Sequence, residues 1–363
     1  MLFELRMMGD AVMALPFIRS IRESYDVHVC CAPGAFGVFE MVLPREKILC
    51  WRPPWIDEAK KYDPVKLLKQ YPGDLLRRIK ALDIEIGVSA WADPRTSLFM
   101  IMSGIPRRIG FDLQTRNYYG SERPWRADGL KKAQILQRVM EAFGKPLLTE
   151  NLRRNDYLQH HVEDFAQLCR HLGVEWRPHY PWLERAPALL PMEIQSFIKE
   201  HQVAGRPVGI IHGGARTEAK RWPSERFGKL LQRYLIPQNL PVILMDLEDC
   251  HPPPIRHPLV KLYRPDSVEA YVALAGLADY SVCNDTGSAH LGGATGRPVV
   301  TIFSNSRPDW FVPYANEKFA VAGAYCPHMP CLERCVMPSF ICRDGVPVED
   351  VANKLSLCLN LIK

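Results

Sequence analysis

A two-domain α/β protein, each domain built on an open parallel sheet, is what the sequence predicts, and three observations carry that reading. The stretch from Tyr280 to Phe303, YSVCNDTGSAHLGGATGRPVVTIF, reads as strand, tight polar turn, short helix and second strand. The same strand-then-helix alternation runs through both halves of the chain. Between Val174 and Pro191 it is interrupted by four prolines, with Trp176, Trp182 and few helix formers, which marks a linker. We therefore expect an N-terminal domain over residues 1–175, a linker over 176–191 and a C-terminal domain over 192–363.

Composition narrows the class. A chain of 363 residues, 47% hydrophobic and 24% charged, is long enough for two cores and too evenly mixed for a disordered or low-complexity protein. No apolar run approaches the length that crosses a bilayer, and Met1 to Arg6 lacks the pattern of a signal peptide. The expected location is the cytoplasm, with peripheral contact at the inner-membrane surface. The 11 cysteines, odd in number and mostly scattered, suit a reducing compartment. The net charge of +6 is uneven, because residues 107–138 hold eight Lys or Arg against three Asp or Glu. That concentration points to an anionic small molecule or lipid head group, with a plain solvated basic face as the competing reading. Nucleic acid is not expected, since Tyr118, Tyr119 and Trp125 in a loop supply neither a groove-entering motif nor a stacking platform.

In the first half, Leu2 to Leu5 reads as a strand, Met8-Gly9-Asp10 as a turn, and Ala11 to Ser24 as a helix with Leu15, Ile18 and Ile21 at helical spacing. Asp10 is then either an N-cap or a carboxylate at the mouth of a cleft. Val27 to Ala32 and Lys47 to Cys50 read as strands, with a helix from Phe36 to Val42 between them. The segment Trp51 to Pro72 suits a surface loop with a short helix inside it. Asp74 to Leu82 is an amphipathic helix, Ile84 to Val88 a buried strand and Thr96 to Ser103 a helix, followed by Arg107 to Phe111. A longer helix is expected over Gly129 to Gly144, and helix signals continue from Leu158 to Leu172.

The second half restarts with a helix from Met192 to His201 and a strand from Val208 to His212 that runs into Gly213-Gly214. A glycine turn after a strand resembles a phosphate-binding loop, although neither the Walker pattern nor Gly-x-Gly-x-x-Gly is present. Lys220 and Arg221 are cations beside this strand end, suited to a diphosphate or else merely solvated. A helix from Ser224 to Tyr234, strands over Val242 to Met245 and Leu259 to Leu262, and a helix from Ser267 to Ala278 lead back to the Tyr280–Phe303 stretch. Glu248, just past a strand end, is placed to take ribose hydroxyls or simply to lie in an acidic loop. At Asn284 to Ser288 the chain turns into a helix expected to open at Ala289, where N–H groups and the helix dipole favour an anion. Gly287 allows close backbone approach, and Asp285, Thr286 and His290 add polar side chains. Cys326, Cys331, Cys335 and Cys342, with His328 among them, lack the paired spacing of structural zinc sites and read as a thiol-rich loop without metal. Val348 to Leu361 is the final amphipathic helix.

Three stretches together resemble the ADP-heptose:lipopolysaccharide heptosyltransferases of glycosyltransferase family 9. They are Met8-Gly9-Asp10 with Ala14-Leu15-Pro16, Ala219-Lys220-Arg221-Trp222-Pro223 with Glu225-Arg226-Phe227, and Asn284-Asp285-Thr286-Gly287 with His290. Arg108-Ile109-Gly110-Phe111 and the cysteine-bearing C-terminal stretch are similar too. The resemblance implies a GT-B architecture, two Rossmann-like domains facing across a cleft, and an inverting, metal-independent transfer without a cofactor. It implies that Asp10 is the general base and that Lys220, Arg221, Gly214, Asp285, Thr286, Gly287, His290 and Glu248 form the donor side. Arg95, Arg107, Arg108 and Arg116 are the expected contacts to an anionic glycan or glycolipid acceptor. Two departures fall in the acceptor domain: the usual Asp-Leu-Gln-Gly is replaced by Ala90-Trp91-Ala92-Asp93-Pro94-Arg95, and the usual His after the basic loop has no counterpart around Lys131 to Gln134.

The expected activity is transfer of heptose, or a related sugar, from an ADP-sugar onto an acceptor such as the lipopolysaccharide inner core. The alternatives are a nucleotide-sugar 2-epimerase or hydrolase of similar shape, and a non-catalytic nucleotide-sugar-binding protein in which Asp10 is only a cap.

Overall fold

Apolar runs buried on both faces become the strands of two parallel sheets in the computed structural model, which describes residues 1–53, 72–91, 93–111, 138–142, 144, 146–154, 159–184, 186–324, 326, 335 and 337–362. The chain divides into two compact units, Met1–Pro178 and His179–Lys363, and the division falls inside the proline-bearing stretch.

The first unit runs β1 (Leu2–Glu4), α1 (Met8–Ile21), β2 (Val29–Cys31), α2 (Phe36–Glu40), β3 (Ile48–Cys50), α3 (Gly73–Ala81), β4 (Ile86–Ser89), α4 (Pro94–Met102), β5 (Arg107–Phe111), β6 (Glu150–Leu152) and α5 (His161–His171). Its sheet has the order β3-β2-β1-β4-β5-β6, every pair parallel. The second unit runs α6 (Met192–Val203), β7 (Gly209–His212), α7 (Ser224–Leu230), β8 (Val242–Met245), β9 (Val260–Tyr263), α8 (Val268–Leu277), β10 (Tyr280–Asn284), α9 (Gly287–Ala294), β11 (Val299–Phe303), α10 (Pro308–Phe311), β12 (Ala320–Ala322), α11 (Ile341–Asp344) and α12 (Val348–Asn360). Its order is β12-β11-β10-β7-β8-β9, again parallel throughout. Counted from its own first strand, each sheet reads 3-2-1-4-5-6, the Rossmann-like order. The strand order therefore reverses between β1 and β4 in one unit and between β7 and β10 in the other, which are the two places where such sheets bind ligands.

Several boundaries differ from the sequence expectation. Helix α1 begins at Met8 and not at Ala11, because the Asp10 carboxylate reaches back to accept the Met7 N–H at 3.0 Å and so sits inside the first turn. Helix α9 opens two residues early, at Gly287, with extended Thr286 before it. After Leu230, α7 widens into a π-helical turn over Leu231–Leu235. Strands β6 and β12 have no counterpart in the sequence expectation. The two edge strands are only three residues long, too short for the alternation that marks a strand. Most of the predicted loop from Trp51 to Pro72 and of the predicted helix from Gly129 to Gly144 lies outside the described residues. Those of its residues numbered 138–142 are helical.

Each unit has its own core. In the first, α1 is buried nearly all round and packs on α5 through Phe17 and Phe165, whose rings lie 5.6 Å apart. In the second, Val351, Leu355 and Leu359 of α12 pack with Phe227 and Leu230 of α7 and with Ile211, Val282 and Ile302 of the sheet. Among the described residues no helix is long and apolar enough to cross a membrane, and each described cysteine is a free thiol.

Gly209 is required by its neighbour. It lies in register with Tyr280, and a Cβ added there would stand 2.3–2.5 Å from the tyrosine ring and hydroxyl. Gly209→Ala is expected to lower stability by about 1–3 kcal/mol through overpacking, read as an earlier chemical-unfolding midpoint of the second unit.

Candidate functional site

In the second unit the site is assembled by one side chain. Asn284 ends β10 with no exposed surface, its Nδ2 donates to the Gly213 carbonyl at 2.7 Å and the Gly214 carbonyl at 3.4 Å, and its Oδ1 accepts the Trp222 N–H at 3.1 Å. The loops that leave β7 and β10 are thereby fastened together at the point where strand order reverses. Trp222 is anchored in turn, its indole donating to the Val346 carbonyl at 3.0 Å and meeting Phe227 edge-on at 4.7 Å. Arg226 donates to the Val346 and Asp344 carbonyls at 2.5 and 2.7 Å. The Arg-Trp-Pro and Glu-Arg-Phe stretch is thus a structural clasp that fixes the loop carrying Lys220.

Lys220 Nζ lies 2.8 Å from Asp285 Oδ2 and 3.4 Å from the Asp285 carbonyl. Asp285 also accepts from the Ser306 hydroxyl. Burial alone would push its carboxyl up, but Lys220, Ser306 and the nearby His290 together hold it below the usual carboxylate range. His290 is buried on α9. Thr286 uses its hydroxyl locally, 2.7 Å from Ser288 Oγ and donating to the Asn284 carbonyl at 3.2 Å. The Thr286 carbonyl accepts the Ala289 N–H at 3.1 Å and so closes the first turn of α9, whose amino end carries the positive end of the helix dipole. Lys220, Asp285, Thr286, Gly287 and His290 are brought together at one strand end.

The remaining donor-side residues are placed differently. Gly214 belongs to the turn after β7, where a Cβ would stand 2.7–2.9 Å from the Asp249 carboxylate. Asp249, and not the exposed Glu248, is the acidic residue that abuts the glycine loop. Arg221 folds back on its own loop, donating to the Ala215 carbonyl at 2.8 Å.

At the carboxyl ends of β1 and β4 in the first unit, Asp10 lies in the first turn of α1, largely buried. Glu4, at the end of β1, is wholly enclosed, and burial with the negative field of Asp10 raises its carboxyl well above the ordinary range. Arg6 lies 4.1 Å from the Trp91 ring. Behind Trp91 is a buried group that was not anticipated from the sequence: His161 Nδ1 stands 2.7 Å from Asp164 Oδ2, Arg154 donates from Nε to Asp164 at 2.7 Å and from Nη2 to the Ala90 carbonyl at 3.1 Å. In the sequence His161 and Asp164 sit at an ordinary polar helix start and Arg154 seven residues before it, with nothing to show that they meet. Although burial pushes up the Asp164 carboxyl, His161 and Arg154 hold it at about 2.

The acceptor arginines are not gathered here. Arg95, on the first turn of α4, is on the carboxyl side of the sheet but doubly bonded to Asp93, at 2.9 and 2.8 Å. Arg107 and Arg108 open β5 and so lie at the amino end of the sheet, away from Asp10. Arg107 pairs with Glu150 of β6 at 2.5 and 3.0 Å, and Arg108 donates to the carbonyls of Ile105, Pro106 and Leu147 at 2.7, 3.0 and 3.1 Å. Both arginines serve strand closure. Arg116, Cys331 and His328 lie outside the described residues. Among the described residues no group of three or more His, Cys, Asp or Glu is set to hold a metal ion.

Two Rossmann-like sheets, each with polar residues at its reversal point, define the class as an α/β protein with two open parallel sheets. The sequence profile of Glycosyltransferase family 9 (heptosyltransferase) matches residues 74–340. The chain belongs to that family. It is 26% identical over 149 residues to lipooligosaccharide heptosyltransferase 2 of Haemophilus influenzae, a match that takes in 38% of this chain and 43% of that protein, so it spans less than half of that relative's length. Its fold is shared with the Veillonella parvula family 9 glycosyl transferase at 16% identity and a TM-score of 0.67, covering 99% of this chain and 96% of the other. It is shared equally with the Escherichia coli ADP-heptose lipopolysaccharide heptosyltransferase II, at 15% identity and a TM-score of 0.63 over 99% and 98% of the two chains.

The Lys220–Asp285 pair sets a pH dependence. A carboxyl held low in the folded state contributes stability that is complete above its unfolded pKa of about 4 and is lost as pH falls through the folded value. Lys220→Met is expected to raise the Asp285 carboxyl, to cost about 1–3 kcal/mol at neutral pH by removing one hydrogen-bond donor from a buried carboxylate that keeps Ser306, and to flatten the acid limb of the stability profile below about pH 4. Unfolding midpoints measured from pH 2 to 8 check this.

Proposed function

We propose that the protein is an inverting, metal-independent glycosyltransferase that moves heptose, or a closely related sugar, from an ADP-sugar onto an anionic glycan or glycolipid such as the lipopolysaccharide inner core. The observation that carries the reading is the fastened pair of loops at Asn284, which sets Lys220 beside the opening turn of α9 in a chain of this family. A lysine and the positive end of α9 suit a pyrophosphate, whose negative charge grows as the sugar departs.

In the proposed reaction the acceptor hydroxyl attacks the anomeric carbon from the face opposite the diphosphate. Asp10 takes the hydroxyl proton, the oxygen's electron pair forms the new glycosidic bond, and the pair of the broken C–O bond leaves on the diphosphate. The anomeric centre carries oxocarbenium character on the way, as in glycoside hydrolysis. Lys220 meets the leaving charge, for which it must exchange part of its contact with Asp285 for phosphate oxygen. Asp285 and His290 then hold the donor through its hydroxyls. Arg95 is the acceptor-side cation we retain, because it alone of the described candidates stands on the carboxyl side of its sheet.

Mass spectrometry of products from ADP-heptose and a core oligosaccharide tests the reading directly. Transfer that survives EDTA, with a product of inverted anomeric configuration, is expected. Asp10→Asn is expected to lower turnover by about 10²–10⁴-fold, the ordinary size of a general-base contribution, with donor affinity measured by calorimetry unchanged. Stabilisation by a UDP-sugar and none by ADP-heptose would replace the donor assignment.

A further inference from the structure

The buried group behind Trp91 has no part in the reaction as described, yet it is built with unusual care. The Asp164 carboxylate collects three donors, from Arg154 at 2.7 Å, Gln159 at 2.9 Å and His161 at 2.7 Å. With Asp164 ionised, the His161 proton sits on Nδ1 and points at it, so the imidazole is fixed in orientation and tautomer. Its Nε2 is buried and has no hydrogen-bond partner among the described residues. A site that needed only volume would be filled by an apolar ring at less cost, since a buried polar atom without a partner is unfavourable. Burial favours the neutral ring, against the pull of Asp164 and of Asp10, whose charge reaches it from α1.

The surroundings connect this ring to the candidate base. The His161 ring lies 4.3 Å from the Trp91 ring, and the Arg6 guanidinium lies 4.1 Å from the same indole. Arg6 is in the short turn between β1 and α1, four residues before Asp10. On the other side, α5, which His161 begins, is packed on α1 through Phe165 and Phe17. Arg154 closes the circuit by donating to the Ala90 carbonyl just before Trp91.

We propose that His161 is a positioning residue for Asp10: clamped by Asp164 and Arg154 and braced on Trp91, it holds the turn from Arg6 to Asp10 in one conformation and so fixes the direction of the Asp10 carboxylate. The inference rests on Asp10 being the base. A side chain acting in this way changes the efficiency of the chemical step and leaves substrate binding alone, because correct aim at the acceptor hydroxyl is a property of the transition state.

The test is steady-state kinetics with ADP-heptose and a core oligosaccharide on four full-length variants, His161→Phe, His161→Asn, Asp164→Asn and Asp10→Asn, each checked for folding by thermal melting. His161→Phe is expected to lower kcat about tenfold or more with KM for both substrates within about twofold of the starting protein, the pattern of an interaction that acts only in the transition state. His161→Asn, which keeps an N–H for Asp164, is expected to recover most of that loss, and Asp164→Asn to reproduce it. A rescue of this kind is not produced by a ring that only fills space. Should His161→Phe fail to fold, the contrast between His161→Asn and Asp164→Asn carries the same decision. Unchanged kcat in the folded His161 and Asp164 variants, beside an inactive Asp10→Asn, overturns this inference and leaves the base assignment standing. Full turnover by Asp10→Asn overturns both.

Discussion

One buried amide, that of Asn284, governs the second unit. Without exposed surface it joins two loop carbonyls and one loop N–H at the reversal point of the sheet. A side chain of similar size without those groups would leave the Gly213 carbonyl and the Trp222 N–H unpaired in the interior, where each costs about 1–3 kcal/mol. The effect spreads because Trp222 and Arg226 hang on to the segment before α12, so the C-terminal helix, the lysine-bearing loop and the glycine turn share one set of bonds. Lys220 is useful beside α9 only because this set fixes the loop in which it lies.

The two units solve the same topological problem with different chemistry. Both sheets reverse their order at the first strand, but the second unit sets a lysine–carboxylate pair beside a helix start there and the first buries two carboxyls. Gly214 admits Asp249 to within contact of the turn, and α9 starts directly after the strand end with extended Thr286 before it. At the equivalent place the first unit buries Glu4 and Asp10 close together, with Arg6 beside Glu4. Like charges so near cannot both be cheap to ionise, and the enclosed Glu4 is the one driven toward its neutral form. A phosphate-bearing ligand suits the former arrangement, and proton transfer at an acceptor hydroxyl suits the latter.

Motifs were easier to find than to interpret. Asp285, Thr286, Gly287 and His290 stand out in the sequence because they follow the apolar run Tyr280–Cys283, and Lys220 because it follows the glycine turn after Val208–His212. Arg107 and Arg108 stood out by charge, yet charge says nothing about which end of a parallel strand a residue occupies, and both open β5 at the amino end. Glu248 and Asp249 are equivalent as sequence, and only the approach to Gly214 distinguishes them. Asp10 reads in the sequence as N-cap or base; in the structure Met7 is the N-cap, and Asp10, at the third helical position, accepts the Met7 N–H from inside the first turn.

From the sequence alone came the fold class, the central strands of both sheets and the family, because each depends on periodicity, turn residues or short motifs that are local in the chain. The edge strands β6 and β12, the reuse of Arg95 by Asp93, the clasp at Asn284 and the His161–Asp164–Arg154 group were decided by tertiary structure. Each joins residues that carry no mark of their partners in the linear chain: Trp222 meets Asn284 across 62 positions, and Arg154 meets Ala90 across 64. Periodicity reports which way a residue faces within its own element. Which element it then meets follows from the packing of sheets and helices that no single segment contains.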